Sequence, residues 1–328
     1  MTPVLSVENL RTWFHTRAGT VKAVDDLSFS INPGETVAIV GESGCGKSMT
    51  ALSIMRLVAP PGRIESGSVR LGETELLRLP MQQMRKMRGN DVAMIFQEPM
   101  TSLNPVYTIG RQIMEAVQFH EHLSARAARS RALEMLTLLG IPDPAARLDS
   151  YPHQLSGGMR QRAMIGMALA CRPALLIADE PTTALDVTVQ AQILDLLQRL
   201  QRELGMAMIF ITHNLGVAGE IADQVLVMYA GQCGESGPRQ AVFEAPRYPY
   251  TMGLMRAVPR LGADRAAGPL ATIAGTVPDL AHLPPGCSFH PRCLYFLPGL
   301  CDAQPPELEV CGPDHLARCL RWRDVASL

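Results

Sequence analysis

The sequence lacks any long hydrophobic run. Its longest apolar stretches, such as residues 174–178 and 206–211, are far shorter than the roughly 20 consecutive residues needed to cross a bilayer. Residues 1–11 also lack the basic patch and apolar segment that mark a secretory signal. We therefore expect a cytoplasmic chain that does not span the membrane, in a compartment where thiols stay reduced.

An excess of either charge is also missing. The 328 residues include 30 Lys and Arg against 31 Asp and Glu, and the 47% hydrophobic and 19% charged content is typical of a globular protein. This balance argues against a nucleic-acid partner, which would favour a basic surface. Internal repeats and low-complexity tracts are absent, and the length suits one large domain with an appendage.

Apolar runs and helix signals alternate along the first part of the chain. Strands are predicted at residues 36–40, 175–179 and 206–212. A glycine-rich turn and a helical pattern to about Val58 follow the first of them, and Asp186 is placed to cap a helix that ends before Gly205. This alternation predicts an α/β fold in which helices cover a parallel sheet.

Two further regions depart from this pattern. Residues 99–165 read as a helical insert, in which Ser124 caps a helix that stops at Gly140 and lines up Leu133, Leu136 and Leu139 on one face. Residues 256–328, called the tail below, hold 10 of the 25 prolines and are expected to be rich in loops. We predict a domain over residues 1–255 and a small Pro/Cys-rich domain over 256–328.

The run Gly41-Glu-Ser-Gly-Cys-Gly-Lys47-Ser48 fits the phosphate-loop pattern GxxxxGK[ST] and lies between a predicted strand and a predicted helix. Its backbone N–H groups and the helix N-terminus favour phosphate, while Lys47 would reach the β and γ phosphates and Ser48 would bind Mg²⁺. A glycine-rich turn that matches by chance is the alternative. The predicted nucleotide contacts are Gly41, Ser43, Gly44, Cys45, Gly46, Lys47, Ser48 and Met49.

The strand at residues 175–179 ends in two carboxylates, at the place where an open α/β sheet presents its functional groups. Asp179 would hold Mg²⁺, directly or through water, and Glu180 would accept a proton from the water that attacks the γ phosphate. Two acidic surface residues at a strand end are the simpler alternative.

Leu155-Ser-Gly-Gly-Met-Arg-Gln161 resembles the LSGGxxQ signature of the ABC ATPase family. Gln97 after an apolar strand, the Ala-Leu-Asp run that ends at Asp186, and His213 at a strand end follow the family's order. The resemblance implies a P-loop NTPase of the ABC type.

The same resemblance implies further roles for individual residues. Ser156, Gly157 and Gly158 would close over the ATP of a partner subunit, so that catalysis requires a dimer. Gln97 and Asp186 would belong to the nucleotide site, with Gln97 also at the Mg²⁺. His213 would contact the γ phosphate and orient Glu180 and the water, although a histidine at a strand end is ordinarily a polar terminus. Phe14, rather than Trp13, would stack on adenine, although either side chain could belong to the core.

Longer stretches resemble the ATPases of oligopeptide, dipeptide and nickel importers: residues 41–50, 96–105, 151–159 and 180–187, with the tail. That branch implies a heterodimer with a related ATPase, two transmembrane permeases that bind near Gln97, an extracytoplasmic solute-binding protein, and a peripheral position on the cytoplasmic face of the bacterial inner membrane. Asn214, where most relatives have Asp, and Cys311 depart from the branch pattern.

A soluble ABC ATPase of translation or DNA repair is disfavoured by the single cassette without a long coiled coil. A P-loop protein without turnover is disfavoured because all catalytic residues are present.

The tail contains five of the eight cysteines. Disulfides do not suit a reducing compartment, and the spacing lacks the paired C-x₂-C elements of common zinc sites. The resemblance implies a [4Fe–4S] cluster, with a structural role, on Cys287, Cys293, Cys301 and Cys319. Zn²⁺ on the same thiolates and free buried cysteines are the alternatives, and Cys311 is expected to be a spare thiol.

Overall fold

The computed structural model describes residues 2–17, 19–97, 102–183, 185–257 and 272–325. Its contacts divide the chain into two compact units. The first unit comprises Met1–Leu5, Ile31–Glu35 and Arg78–Ile209, and the second comprises Ser6–Ser30, Thr36–Leu77 and Phe210–Leu328. Within the described residues, every helix is too short or too polar to span a bilayer.

The predicted strands near residues 36–40, 175–179 and 206–212 are present, and helices follow them. The prediction of a purely parallel sheet is wrong, because consecutive strands without an intervening helix also occur and pair antiparallel. The strands are β1 Leu5–Thr16, β2 Gly19–Ile31, β3 Thr36–Val40, β4 Gly62–Leu71, β5 Thr74–Glu75, β6 Val92–Ile95, β7 Leu175–Asp179, β8 Ala207–Thr212, β9 Gln224–Tyr229, β10 Gln232–Pro238, β11 Glu309–Gly312 and β12 His315–Ala317. The helices are α1 Lys47–Ile54, α2 Met81–Met87, α3 Ile109–Glu121, α4 Ala125–Leu138, α5 Pro144–Arg147, α6 Gly157–Leu169, α7 Val187–Leu204, α8 Leu215–Ile221, α9 Arg239–Glu244, α10 Pro249–Ala257 and α11 Trp322–Val325.

The second unit is built on two groups of strands. One is a four-stranded sheet in the order β2-β1-β4-β5. In the other, β3 pairs in parallel with β9, which pairs antiparallel with β10. Every residue of β3 is buried, in keeping with its continuous apolar sequence.

The tail is loop-rich, as predicted, but it also contributes strands to this second group. Strand β12 pairs antiparallel with β10, with Glu235 opposite Ala317, and β11 pairs with β12. Phe289 is buried in the core cluster that contains residues of β3 and β9. The boundary between residues 255 and 256 stays a prediction, because these contacts describe packing within the unit rather than independent folding.

The first unit combines a strand pair with helices. Strands β6 and β7 are parallel, with Val92 opposite Leu175. The predicted helix caps are confirmed: the Ser124 side chain accepts from Ala127 N, and Asp186 caps α7. Gly140 and Gly205 follow their helices with φ of 65°. Helices α3 to α6 lie between residues 109 and 169, and the helical insert with its limits, 99–165, stays a prediction.

Candidate functional site

The phosphate loop links β3 to α1 in the second unit. Its glycines Gly41, Gly44 and Gly46 have φ of 153°, 80° and 106°, in a region that L side chains rarely adopt. A Cβ atom at Gly41 would overlap the carbonyl of Met228, and one at Gly46 would overlap the carbonyl of Ala23. Glycine is therefore required both for the conformation of the loop and for its close packing on the neighbouring strands.

Lys47 is folded back onto the phosphate loop. Its side chain is buried, and Nζ donates to the carbonyl oxygens of Gly41 at 2.8 Å and Glu42 at 3.0 Å. Ser43 and Gly44 are exposed, whereas Cys45 is fully buried and burial raises its pKa. The loop thus places its ammonium group on its inner side and presents its apex to solvent, as a phosphate-binding loop should.

The predicted residues at the carboxyl ends of β6 and β7 are Gln97 and the carboxylates Asp179 and Glu180, all in the first unit. Asp179 is buried, at 5% exposure. Glu180 Oε2 accepts hydrogen bonds from Gln97 Nε2 at 3.2 Å and from Thr183 Oγ1 at 2.9 Å. Glu180 also has a φ of 46°, which is uncommon outside glycine and is found at functional positions. The structure therefore brings Gln97 and Glu180 together, and it adds Thr183, which sequence reasoning missed.

The signature segment forms the start of α6. Ser156 is the N-cap residue, with its Oγ accepting from Met159 N at 3.3 Å. A Cβ on Gly157 would meet nothing within 4 Å, so this helix start is open. Gln161 Nε2 donates to the carbonyl of Pro181, directly after Glu180. This bond ties the signature helix to the segment that carries the carboxylates.

His213 follows β8 in the second unit and is exposed. The next residue, Asn214, caps α8 because its Oδ1 accepts from Gly216 N at 2.9 Å. Asn and Asp are both strong N-cap residues, so the departure from the family's usual Asp preserves this local role.

Two aromatic residues of β1 were candidates for adenine stacking. Phe14 is half-buried, and its ring packs so closely on Gly62 that a Cβ there would lie 2.6 Å from Phe14 Cε1. Trp13 instead lies under Lys22, with Nζ 4.9 Å from the ring centroid. The role of Phe14 at adenine stays a prediction.

The four cysteines singled out in the tail line one apolar cavity, together with Tyr248 and Phe289. Burial raises the pKa of Cys293 to about 11 and that of Cys319 to about 12. Cys311 is not among the cavity residues, and its Sγ lies 3.3 Å from the His315 carbonyl oxygen. In the described part of the chain, no group of three or more His, Cys, Asp or Glu side chains is arranged to hold a metal ion.

Sequence reasoning missed a contact between the phosphate loop and the C-terminal part of the second unit. Glu42 N donates to Tyr250 Oη at 2.8 Å. The Glu42 carboxylate is bound by Arg292 at 2.6 and 2.9 Å. These residues are 208 and 250 positions apart from Glu42, and a lone Glu within a motif gave no signal of either partner.

Comparisons with known proteins agree with these motifs. Residues 24–183 match the ABC transporter family model, and residues 235–301 match that of the oligopeptide/dipeptide transporter C-terminal region. A protein of Brucella abortus (strain 2308), provisionally named a peptide import ATP-binding protein, is 56% identical over 335 residues, covering 99% of each chain. The dipeptide transport ATP-binding protein DppD of Escherichia coli (strain K12) is 49% identical over 316 residues, covering 96% of each.

A solved structure is also similar. The ATP-binding cassette MJ0796, in a dimeric post-hydrolysis state with ADP and Pi, matches with a TM-score of 0.65 and 27% identity, covering 72% of this chain and 98% of that one. The chain therefore belongs to the ABC transporter family, as an ATPase subunit that also carries the C-terminal region of oligopeptide/dipeptide transporters.

Proposed function

We propose that this chain hydrolyses ATP to drive the import of dipeptides, oligopeptides or a related solute through separate membrane permeases. The observation that carries the proposal is the presence of the ABC cassette and the oligopeptide-type C-terminal region in one chain. Relatives named for peptide or dipeptide transport match 96% to 99% of it. Nickel import, the related function of the same branch, is the alternative to be tested.

At the nucleotide site, each residue has a role that follows from its chemistry. The amides of the phosphate loop and Lys47 bind the phosphates, and Phe14 stacks on adenine. Ser48, Gln97 and Asp179 supply the oxygen ligands that suit Mg²⁺. Mg²⁺ held by these residues would supply positive charge that offsets the negative charge of the phosphates.

Glu180 accepts the proton of the attacking water, and His213 contacts the γ phosphate. The hydrogen bonds from Gln97 and Thr183 orient the Glu180 carboxylate for this task. Asp186 belongs to the same nucleotide site, where it caps the helix that follows the carboxylates.

A second ATPase subunit completes each site. The helix start at Ser156, Gly157 and Gly158 is a ready anion site that the phosphate loop of the same chain does not need. The open space around Gly157 supports its closure over nucleotide held by a partner. We propose a related chain as this partner, giving a heterodimer.

The remaining partners are two permeases and, indirectly, an extracytoplasmic solute-binding protein. The permeases would dock on the segment from Gln97 to Tyr107, of which residues 98–101 lie outside the described residues. Val106 is 69% exposed and Tyr107 stacks under Arg111, so the described end of the segment offers an apolar and an aromatic contact. This docking holds the chain at the cytoplasmic face of the inner membrane.

We also propose that Cys287, Cys293, Cys301 and Cys319 hold a [4Fe–4S] cluster that cross-links the tail. The four cysteines line one cavity, which supports them as the cluster ligands. Cys311 does not line this cavity, which supports leaving it out of the ligand set. Zn²⁺ on the same four thiolates is the alternative, because the spacing lacks the paired C-x₂-C elements of common zinc sites but does not exclude the ion. Anaerobic purification with iron and acid-labile sulfide analysis tests the cluster. Iron and sulfide should persist in Cys311→Ser and be lost in Cys293→Ser, whereas stoichiometric zinc or no metal in the native chain would contradict the proposal.

Solute uptake tests the function as a whole. The chain is reconstituted with its co-purifying ATPase, permeases and solute-binding protein in proteoliposomes, and uptake of labelled dipeptide, oligopeptide and Ni²⁺ is measured with Lys47→Ala as the inactive control. ATP-dependent peptide uptake is the expected result. Uptake of Ni²⁺ alone would select the alternative, and uptake that is unchanged in Lys47→Ala would remove this chain from the role.

A further inference from the structure

The phosphate loop is joined to the tail by one ion pair. Arg292 Nη1 lies 2.6 Å from Glu42 Oε2, and Arg292 Nη2 lies 2.9 Å from Glu42 Oε1. This is the parallel, bidentate geometry in which arginine binds a carboxylate most specifically. The Arg292 side chain is only 5% exposed, and Glu42 is 31% exposed, so solvent screens the pair weakly.

Arg292 also contacts other residues of the second unit, to which it belongs. Its Nε donates to the Ala274 carbonyl at 2.9 Å, and its guanidinium lies 5.9 Å from the centroid of the Tyr229 ring. Phe289, one turn earlier, packs against Tyr229 with ring centroids 5.2 Å apart. The guanidinium is therefore held by contacts with Ala274 and Tyr229 as well as with Glu42.

Glu42 is held at its backbone as well. The fully buried Tyr250 accepts a hydrogen bond from the Glu42 N–H at 2.8 Å, and burial raises the pKa of the Tyr250 hydroxyl. Lys47 Nζ in turn donates to the Glu42 carbonyl. One residue of the loop thus connects the tail, helix α10 and the lysine that reaches for phosphate.

Contacts that hold Glu42 reduce the conformational freedom of the phosphate loop before ATP binds. Gly41, Gly44 and Gly46 supply the conformations that wrap phosphate, but glycine loses more conformational freedom on ordering than any other residue. A loop that is ordered before ATP arrives avoids that cost at the moment of binding.

We propose that Arg292 is a positioning residue for ATP binding: it fixes Glu42, and with it the first turn of the phosphate loop, in the conformation that receives the phosphates. The tail is then part of the frame of the nucleotide site. The proposal rests on the ATP-binding role of this loop given under the proposed function. Cys293, one of the residues that line the cysteine cavity, directly follows Arg292 in the chain.

A purely structural alternative is that the pair only anchors the tail. Both ideas predict a lower melting temperature when the pair is broken. They differ in the affinity for ATP, because an anchor does not order the loop. The test is therefore the dissociation constant of Mg-ATP for the purified full-length chain, measured well below the melting temperature of each variant.

The variants form a double-mutant cycle. Arg292→Gln and Glu42→Gln should each weaken ATP binding about tenfold, which corresponds to about 1.4 kcal/mol. The double variant should be no weaker than either single variant, because both remove the same interaction. The ATP affinity of Arg292→Lys should lie between those of wild type and Arg292→Gln, because an ammonium group keeps the charge but cannot form the bidentate pair. Turnover at saturating ATP in the reconstituted transporter should stay within about threefold of wild type, because bound ATP selects the ordered loop.

Arg129→Gln is the matched control. Arg129 forms an equally bidentate pair with Asp149 at 3.0 and 2.8 Å, but both side chains are exposed and lie in the first unit. The ATP affinity of Arg129→Gln should stay within about twofold of wild type, because an exposed ion pair contributes little.

Three results would overturn the inference. The first is an unchanged ATP affinity in Arg292→Gln. If Arg292→Gln fails to fold, the second is an unchanged ATP affinity in Glu42→Gln. The third is a loss of affinity in the double variant that equals the sum of the two single losses. Wild-type protein that binds no ATP would instead overturn the proposed function itself. ATP binding by wild type with unaffected variants would overturn only the positioning role.

Discussion

Strands β3 and β9 and the tail belong to the same unit but are stabilised in different ways. The residues of β3 and the last five of β9 are all buried, and the two strands are joined by a continuous parallel ladder. Most described tail residues are half-buried or exposed, and the tail is attached at a few points such as Phe289, Arg292 and His315. The strands thus depend on many equivalent apolar contacts, whereas the tail depends on a few specific ones, so single substitutions should affect the two regions differently.

The largest effect is expected directly after β7, a fully buried strand of the first unit. Glu180→Gln should lower ATP turnover at least about 100-fold while ATP binding is retained, because it removes the proton acceptor without changing the shape of the side chain. Turnover and Mg-ATP affinity are measured on the same preparation. Glu134→Gln, an exposed carboxylate of α4, is the control and should leave both unchanged. Turnover at the wild-type rate in Glu180→Gln would remove Glu180 from its role.

A cavity in the buried strands should destabilise the whole unit. Ile39 is fully buried in β3, so Ile39→Ala should lower the free energy of unfolding by about 2–5 kcal/mol. Leu294→Ala in the tail removes an 81% exposed side chain and should change it by less than about 0.5 kcal/mol. Denaturant titrations of both variants measure the difference. Equal destabilisation by the two variants would contradict the contrast between the regions.

One buried polar contact should matter more for the tail than for the strands. His315 Nε2 lies 2.8 Å from Glu235 Oε1, both residues are buried, and the contact joins β12 to β10. His315→Ala should cost about 1–3 kcal/mol, because a buried carboxylate loses a partner. Hydrogen exchange should rise first in residues 309–317. Arg321→Ala, which breaks the more exposed pair with Asp324, is the control. A rise that is equally large in β3 would show that the tail does not open separately.

The smallest effect is expected at Asn214. Asn214→Asp should keep the cap of α8 and change the free energy of unfolding by less than about 0.5 kcal/mol, whereas Asn214→Ala should cost about 1 kcal/mol. Thermal unfolding of the two variants measures the difference. Equal losses in Asp and Ala would mean that the side chain does not act as a cap.

Local signals in the sequence were sufficient for several elements and for where they begin and end. The strand at 36–40, the caps at Ser124 and Asp186 and the stops at Gly140 and Gly205 depend on periodicity and on residues close in the chain. Gln97 and Glu180 were assigned to the nucleotide site separately, Gln97 through the resemblance to the ABC ATPase family, and the hydrogen bond between them is seen only in the structure.

Contacts between distant segments could not be predicted in this way. Arg292 is 250 residues from Glu42, and no local pattern connects a tail arginine with a loop carboxylate. The strands β11 and β12 were missed because they are short and lie in a Pro-rich segment, where pairing with β10 rather than intrinsic propensity decides the structure. The Gln161 bond to Pro181 likewise depends on the packing of a helix against a loop.

ATP hydrolysis by the complete transporter, with and without its peptide-loaded binding protein, tests the central claim most directly. The assay compares wild type with Glu180→Gln at saturating Mg-ATP. Wild-type hydrolysis should be stimulated by the binding protein loaded with a dipeptide or oligopeptide, and Glu180→Gln should remain inactive in both conditions. Wild-type hydrolysis that does not respond to any peptide would contradict the claim that this chain powers peptide import.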